Sequence, residues 1–188
     1  GNFNVTVGDE AGTAITTGDS NTLIGYLAGD AITTVSFITA VGEKALSANT
    51  SGQKNTALGR AALQSITSQD NNTAVGYNSL SGGNNAGGNN TAIGSDTLSG
   101  NTTGDNNVAL GYNALAANTT ASSNVAIGRG ALDATTTGSS NTSVGDMSSS
   151  ANTTGANNTA IGTLALTANT TAAGNVAVGY AALTTNTT

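Results

Sequence analysis

The chain of 188 residues contains no cysteine, histidine, tryptophan or proline, and only 7% of its residues are charged and 3% aromatic. Without cysteine or histidine, the common nucleophilic triads and thiolate or imidazole metal sites are excluded. The four basic residues form no cluster, so a nucleic-acid partner is not expected. We therefore predict that the chain is not an enzyme and that it uses no cofactor, metal or nucleic acid.

Long apolar runs are also absent. No run approaches the roughly 20 residues that a membrane-spanning helix needs, so the sequence predicts no membrane span. Intrinsic disorder is disfavoured as well, because disordered chains are usually highly charged and poor in β-branched residues, whereas this chain has Val, Ile and Thr at regular intervals. The regular spacing indicates an ordered structure.

The phrase Asn-x-x-aliphatic-Gly recurs along the whole chain, as in NTAVGYNSL (72–80) and NVALGYNAL (107–115). Its glycine recurs every 17 residues, with one step of 18 whose extra residue falls in the turn-forming segment 81–90. The markers are Gly8, Gly25, Gly42, Gly59, Gly76, Gly94, Gly111, Gly128, Gly145, Gly162 and Gly179.

Each repeat predicts two short strands. Before the glycine, a small residue stands between β-branched or aliphatic ones, which is the period of two expected for a strand. Four places after the glycine, Leu occurs in eight repeats, usually preceded by Ala, which we interpret as a second strand beyond a bend. The remaining Asn, Thr and Gly residues are typical of turns.

A unit of 17 residues is too small to fold alone, because its apolar area cannot offset an ordering cost of roughly 1 to 2 kcal/mol per residue. Stacked units can be stable, since like residues then lie about 4.8 Å apart and backbone bonds run between coils. The sequence therefore predicts one domain over residues 1–188: an all-β parallel β-solenoid, or β-roll, of about eleven coils with two strands each.

One asparagine column supports this interpretation. Asn occupies the place four residues before the glycine in ten of the eleven repeats, and Ile38 is the exception. Stacked amides can bond along the rod, so we interpret the column as a structural ladder, with a row of ligand-binding amides as the alternative. Its members are Asn4, Asn21, Asn55, Asn72, Asn90, Asn107, Asn124, Asn141, Asn158 and Asn175.

The phrases NTAIG and NVAVG, with NTTG turns and Ala-Leu, resemble the head domains of trimeric autotransporter adhesins and related repeats in phage tail fibres. The resemblance implies a parallel β-roll, usually trimeric, that carries a binding surface outside the cell or on a virion and performs no chemistry. The period of 17 is longer than that of the adhesin heads, and no heptad stalk or membrane anchor follows in this sequence.

Two functions follow as expectations. The first is a non-enzymatic extracellular fibre subunit, at the cell surface or on a virion appendage, that stacks end to end or forms part of a longer fibre. The repeat starts and stops at the same phase, which favours stacking but also fits a piece cut from a longer array. The second is a receptor-binding head or shaft segment of a trimeric adhesin or tail fibre.

Four tyrosines, Tyr26, Tyr77, Tyr112 and Tyr180, share the column just after the marker glycine. This column also holds charged residues, so it is predicted to face solvent or a partner such as a cell-surface glycan or protein. Covering the bend is the simpler role.

Other candidate sites have less support in the sequence. The sequons at Asn101, Asn118, Asn152 and Asn169 also make good turns. The aspartates at 19, 30, 70, 105 and 133 are interpreted as scattered across columns, which disfavours a calcium-binding roll. Ice binding would require exposed Thr-x-Thr columns, whereas the Thr pairs here lie in turns.

The coils at 1–40 and 145–151 are atypical, because they lack the Leu at Gly12, Gly29 and Ser149. We expect local repacking or a terminal contact in the first, where Phe3 and Phe37 share a column, and a weak coil in the second.

Overall fold

A computed structural model describes residues 1–83 and 87–186, so part of the predicted insertion (84–86) and residues 187–188 lie outside the described residues. The regular elements of the described chain are eleven strands of three residues each. They are β1 (Val5–Val7), β2 (Thr22–Ile24), β3 (Thr39–Val41), β4 (Thr56–Leu58), β5 (Thr73–Val75), β6 (Thr91–Ile93), β7 (Val108–Leu110), β8 (Val125–Ile127), β9 (Thr142–Val144), β10 (Thr159–Ile161) and β11 (Val176–Val178).

The strands form a single parallel sheet in which every strand pairs with its neighbours in chain order. Like residues lie opposite each other: Thr56 pairs with Thr73, and Ala57 pairs with Ala74. The step is 17 residues throughout except between β5 and β6, where Thr73 pairs with Thr91 across the inserted residue. The predicted parallel β-solenoid is therefore confirmed, including its period.

The predicted second strand is wrong. The Ala-Leu segment after each marker glycine forms a turn, and each described coil contains one strand only. Asn113 and Leu115 show the reason, because their φ angles of 57° and 53° are left-handed and an extended strand cannot contain them. A left-handed residue other than glycine costs roughly 1–2 kcal/mol, and complete burial of the Leu side chain offsets this with roughly 1.5–3 kcal/mol.

The interior of the rod is lined by small residues from the strands and by Leu from the turns. From β2 to β11 the central residue of each strand is buried, and in eight strands it is Ala. Leu115 and its counterparts from Leu46 to Leu166 are fully buried against this column. The interior is therefore narrow, and the larger β-branched residues of each strand lie on the outside.

The first coils are repacked in a way that conserves interior volume. Leu23 replaces the usual strand Ala, and Gly12 and Gly29 replace the usual turn Leu. A Cβ atom on Gly29 would lie 2.8 Å from Leu23 Cδ2 and 2.9 Å from Ile32 Cδ1, so no side chain fits there. Phe37 takes no part in this packing, since its side chain is 63% exposed.

The coil around 145–151 keeps its strand but loses its apolar interior. β9 pairs in full register with both neighbours. Ser143, Ser148 and Ser149 are buried in place of Ala and Leu, and the hydroxyls of Ser143 and Ser148 bond to each other at 2.8 Å. As a result, one hydrophobic cluster ends at Leu132 and a second begins at Ala160.

Each marker glycine lies directly against the marker glycine of the following coil, which leaves no room for a side chain wherever such a coil follows. Gly111 has a φ of +128°, and a Cβ atom there would lie 2.6 Å from the carbonyl oxygen of Gly128. Gly179, in the last coil, has a similar φ of +125° but no atom within 4 Å of such a Cβ. The two positions therefore separate backbone strain from the clash between coils.

We predict that Gly111→Ala lowers the thermal unfolding midpoint much more than Gly179→Ala. Both substitutions force Ala into a rare backbone conformation at a cost of roughly 1–3 kcal/mol, but only Gly111→Ala also pushes two coils apart. Circular dichroism during heating measures the difference. Equal midpoints for the two variants would contradict the direct stacking of glycines.

Candidate interaction surface

The predicted asparagine ladder lies inside the rod. Its eight middle members are 0–2% exposed, and the terminal Asn4 and Asn175 are partly buried. Asn107 shows the bonding: its Oδ1 accepts the backbone N–H of Asn124 at 3.0 Å, and its Nδ2 donates to the carbonyl of Ala121 at 2.9 Å. Each amide thus holds the backbone of the following coil rather than stacking only on the next amide.

This bonding explains why Asn is repeated and why the column offers little to a ligand. The same backbone bond recurs along the ladder, because the Oδ1 of one member accepts the N–H of the next. It is made by the N–H groups of Asn72, Asn90, Asn124, Asn141, Asn158 and Asn175. Ile38 donates its N–H to Asn21 Oδ1 at 3.0 Å, but its own side chain cannot accept an N–H from the following coil. A buried amide with both ends bonded is a structural group.

A second asparagine column, which the sequence interpretation assigned only to turns, also lies in the interior. Asn118 is fully buried, its Oδ1 accepts the N–H of Ala121 at 3.1 Å, and its Nδ2 donates to the carbonyl of Ala121 at 3.0 Å. The same place holds Ile32 and Ile66 in other coils. A column shared by Ile and Asn was the available signal, since such a position is buried and the amide must be bonded internally.

The second asparagine column contains the four sequon asparagines and shows whether they are accessible for glycosylation. Asn101, Asn118, Asn152 and Asn169 are all fully buried. Their Nδ2 atoms donate to backbone carbonyls three residues ahead at 2.9–3.1 Å. In the folded chain these amides are inaccessible to a glycosyltransferase.

The aspartates are not scattered, and this interpretation is corrected. Asp19, Asp70 and Asp105 share one column, where each accepts a backbone N–H from the coil before: Asp70 Oδ1 bonds Gln53 at 2.7 Å. Ser36, Ser122 and Ser139 do the same from that column. Asp30 and Asp133 lie in another column, and burial raises the pKa of Asp133. No group of three or more carboxylates that could hold a metal occurs among the described residues.

The outer sheet face is formed by the first and third residues of β1 to β11 and follows the sheet along the rod. These positions are partly or fully exposed in all eleven strands, and none is charged. The first is Thr in seven strands and Val in four, and the third is always Val, Ile or Leu. Leu110, for example, is 41% exposed. A Thr-x-Thr array is absent from the described strands, because the third position is aliphatic.

The tyrosine column lies two residues beyond this face along the chain. Tyr26, Tyr77 and Tyr112 are 46–54% exposed and Tyr180 is 78% exposed. This exposure is compatible both with covering the bend and with contact to a partner. The structure brings them into one row along the rod, as the period of 17 predicts, and leaves them open to a partner.

Charged residues in the same row bond to their neighbours one coil away. The Arg60 guanidinium lies 3.2 Å from Glu43 and stacks over the ring of Tyr77 at 5.6 Å. The carboxylate of Glu43 holds the pKa of Arg60 above its usual value. Arg129 makes a similar pair with Asp146 at 2.9 Å. Because both pairs are exposed, they contribute little to stability.

Enclosed sites are lacking in the described parts of the chain, which contain no pocket. Residues 1–83 and 87–186 also include no helix long and apolar enough to cross a membrane. No protein-family model, curated protein or solved structure matches this chain. The open candidates are therefore the outer sheet face and the tyrosine column.

We predict that Asn107→Ile destabilises the rod, although Ile fits the same column at position 38. The substitution leaves the buried N–H of Asn124 without its acceptor, which costs about 1–3 kcal/mol. The control is Asn106→Ser, because Asn106 is exposed and left-handed like its counterpart Ser123. Thermal unfolding should show a lower midpoint for Asn107→Ile only. An unchanged midpoint would contradict a structural role for the Asn107 amide.

Proposed function

We propose that this chain is a non-enzymatic structural protein that forms part of an extracellular fibre, at the cell surface or on a virion appendage. The observation that carries the proposal is the unbroken register of eleven parallel strands, in which every coil presents nearly the same bonds to the coil above and below. A structure of this kind can extend without limit along its axis. The extracellular location rests on the resemblance to adhesin and tail-fibre repeats.

The backbone bonding from one coil to the next supports axial continuation. The first residue of each strand donates its N–H to the next coil, as from Thr142 to the carbonyl of Asn158 and from Thr159 to that of Asn175, both at 2.8 Å. Val176 is the counterpart in β11, and no later coil follows among the described residues. Another coil, from the same or another chain, would complete this edge.

A second candidate function is a receptor-binding segment of such a fibre. The exposed tyrosine column supports it, because tyrosines combine an apolar ring with a hydroxyl and are enriched at binding surfaces. A cell-surface glycan or protein is the proposed partner. Ser95 and Thr163 occupy the same column, so the rod itself does not require tyrosine there.

We predict that the purified chain forms filaments whose axial repeat is about 4.8 Å. Val176→Pro should shorten them, because it removes one N–H donor from the open edge without removing a bond inside the chain. Val176→Thr is the control, since Thr occupies this place in seven strands. Electron microscopy gives both the lengths and the repeat. A wild-type chain that forms no filaments would overturn end-to-end stacking by separate copies.

For the second candidate, we predict that Tyr77→Ser with Tyr112→Ser abolishes binding to a surface that the wild-type fibre binds. Replacement of Ser122 and Ser139 by Ala is not a suitable control, because both hydroxyls bond to the backbone. Thr120→Ser with Thr137→Ser changes exposed side chains in the turns instead. Binding to glycan arrays and to whole cells measures the effect, and equal binding by both pairs would contradict a role for the tyrosines.

A further inference from the structure

The outer sheet face runs the length of the described rod, with a column that is aliphatic in all eleven strands beside a column of seven Thr and four Val. Eleven strands spaced about 4.8 Å apart, with two outward side chains each, give an area of roughly 500 Å². The aliphatic column and the methyl groups of Thr and Val form the apolar part of this area, and contiguous apolar patches of a few hundred Å² on a monomer are often functional. We propose that the outer sheet face is covered by the same face of a second copy of this chain, so that the rods associate side by side.

The periodicity of the face favours a second copy over an unrelated protein. Its aliphatic column repeats at every coil, with Ile93 and Leu110 directly paired in the sheet. Side chains of a partner can pack between these residues along the whole rod only if the partner has the same axial spacing. Another copy has this spacing by construction, including the conserved register on both sides of the insertion.

The charge distribution also fits self-association. The four basic and ten acidic residues all lie outside the strands, so no charge is buried when two faces meet. A net charge of −6 on each chain opposes association, and salt screens this repulsion. Association is therefore expected to strengthen as salt concentration rises, whereas a partner held by ion pairs would dissociate.

The available area indicates how strong the contact is. Two faces would bury about 1,000 Å² in total, which is near the lower limit for a specific interface. The adjoining tyrosine column can enlarge the contact, because tyrosine is common at interfaces. We therefore expect the isolated chain to associate reversibly, to an extent that depends on its concentration. In a longer rod the contact area, and with it the affinity, should increase with the number of coils.

This inference deepens the proposed function by naming the partner, and it rests on the rod but not on growth along the axis. The two can fail separately. Loss of axial stacking shortens filaments, whereas loss of side-by-side association reduces the cross-section of the rod at unchanged length. Small-angle scattering reports the two dimensions independently.

The first experiment measures mass as a function of chain concentration by analytical ultracentrifugation, using the Val176→Pro chain to limit axial growth. Ile93→Lys with Leu110→Lys introduces two charges into the face, where both residues are partly exposed in the single chain. The control, Thr120→Lys with Thr137→Lys, adds the same charge to exposed turns. We expect the face variant to associate roughly a hundredfold or more weakly, because like charges brought together cost several kcal/mol. The control should associate like the parent chain.

A second measurement does not depend on destabilising anything. The chain has no cysteine, so Ile93→Cys places a single thiol in the middle coil of the face. Mild oxidation should link copies through this thiol and not through Thr137→Cys on the turn. Val176→Cys, at the end of the face, should link only if the two copies run parallel.

The proposal is overturned if the parent chain stays monomeric at all concentrations and salt levels. It is also overturned if the face variant, folded by circular dichroism, associates like the control, or if Thr137→Cys cross-links as well as Ile93→Cys. A monomer that inhibits ice growth, and loses this with Ile93→Lys and Leu110→Lys, would assign the face to ordered water instead.

Discussion

The constraint on which the whole structure depends is that each residue lies above its own counterpart one coil away. Once the chain adopts this register, the backbone bonds of every coil are made by its neighbours, and side chains must be compatible with copies of themselves. This condition explains the narrow alphabet of the sequence. Amides, hydroxyls, small aliphatic residues and glycine stack on their counterparts in the interior, whereas charged residues and aromatic rings lie in columns that are partly or fully exposed.

The register also decides what lies inside. A coil of 17 residues encloses so little space that its strand contributes Ala and its turn contributes Leu, with Asn filling the corners. The exchange of Leu23 for Ala opposite Gly29 shows how closely the volume is conserved. Large aliphatic side chains that an ordinary strand would bury are therefore displaced to the outer sheet face. The narrow interior therefore leaves a partly exposed aliphatic column on the outside of the rod.

Much of this could be predicted from the sequence, because a fixed period implies stacking and stacking implies parallel pairing. The second strand was a wrong prediction because Ala-Leu fits a strand and a turn equally well, and the left-handed φ of Leu115 is imposed by the path of the coil rather than by the residue. The buried column of Asn118 was hidden by its neighbours, since Asn-Thr-Thr is typical of turns. Which residues of each strand face outward could not be predicted, because this depends on the width of the interior.

The coil with Ser143, Ser148 and Ser149 gives the rod a built-in point of yield. On either side, apolar side chains form a continuous filling, but here hydroxyls bond among themselves and to the backbone. Water can replace those partners, as it cannot replace buried Leu. We therefore expect a pulling force along the axis of the rod to separate the coils first at this position.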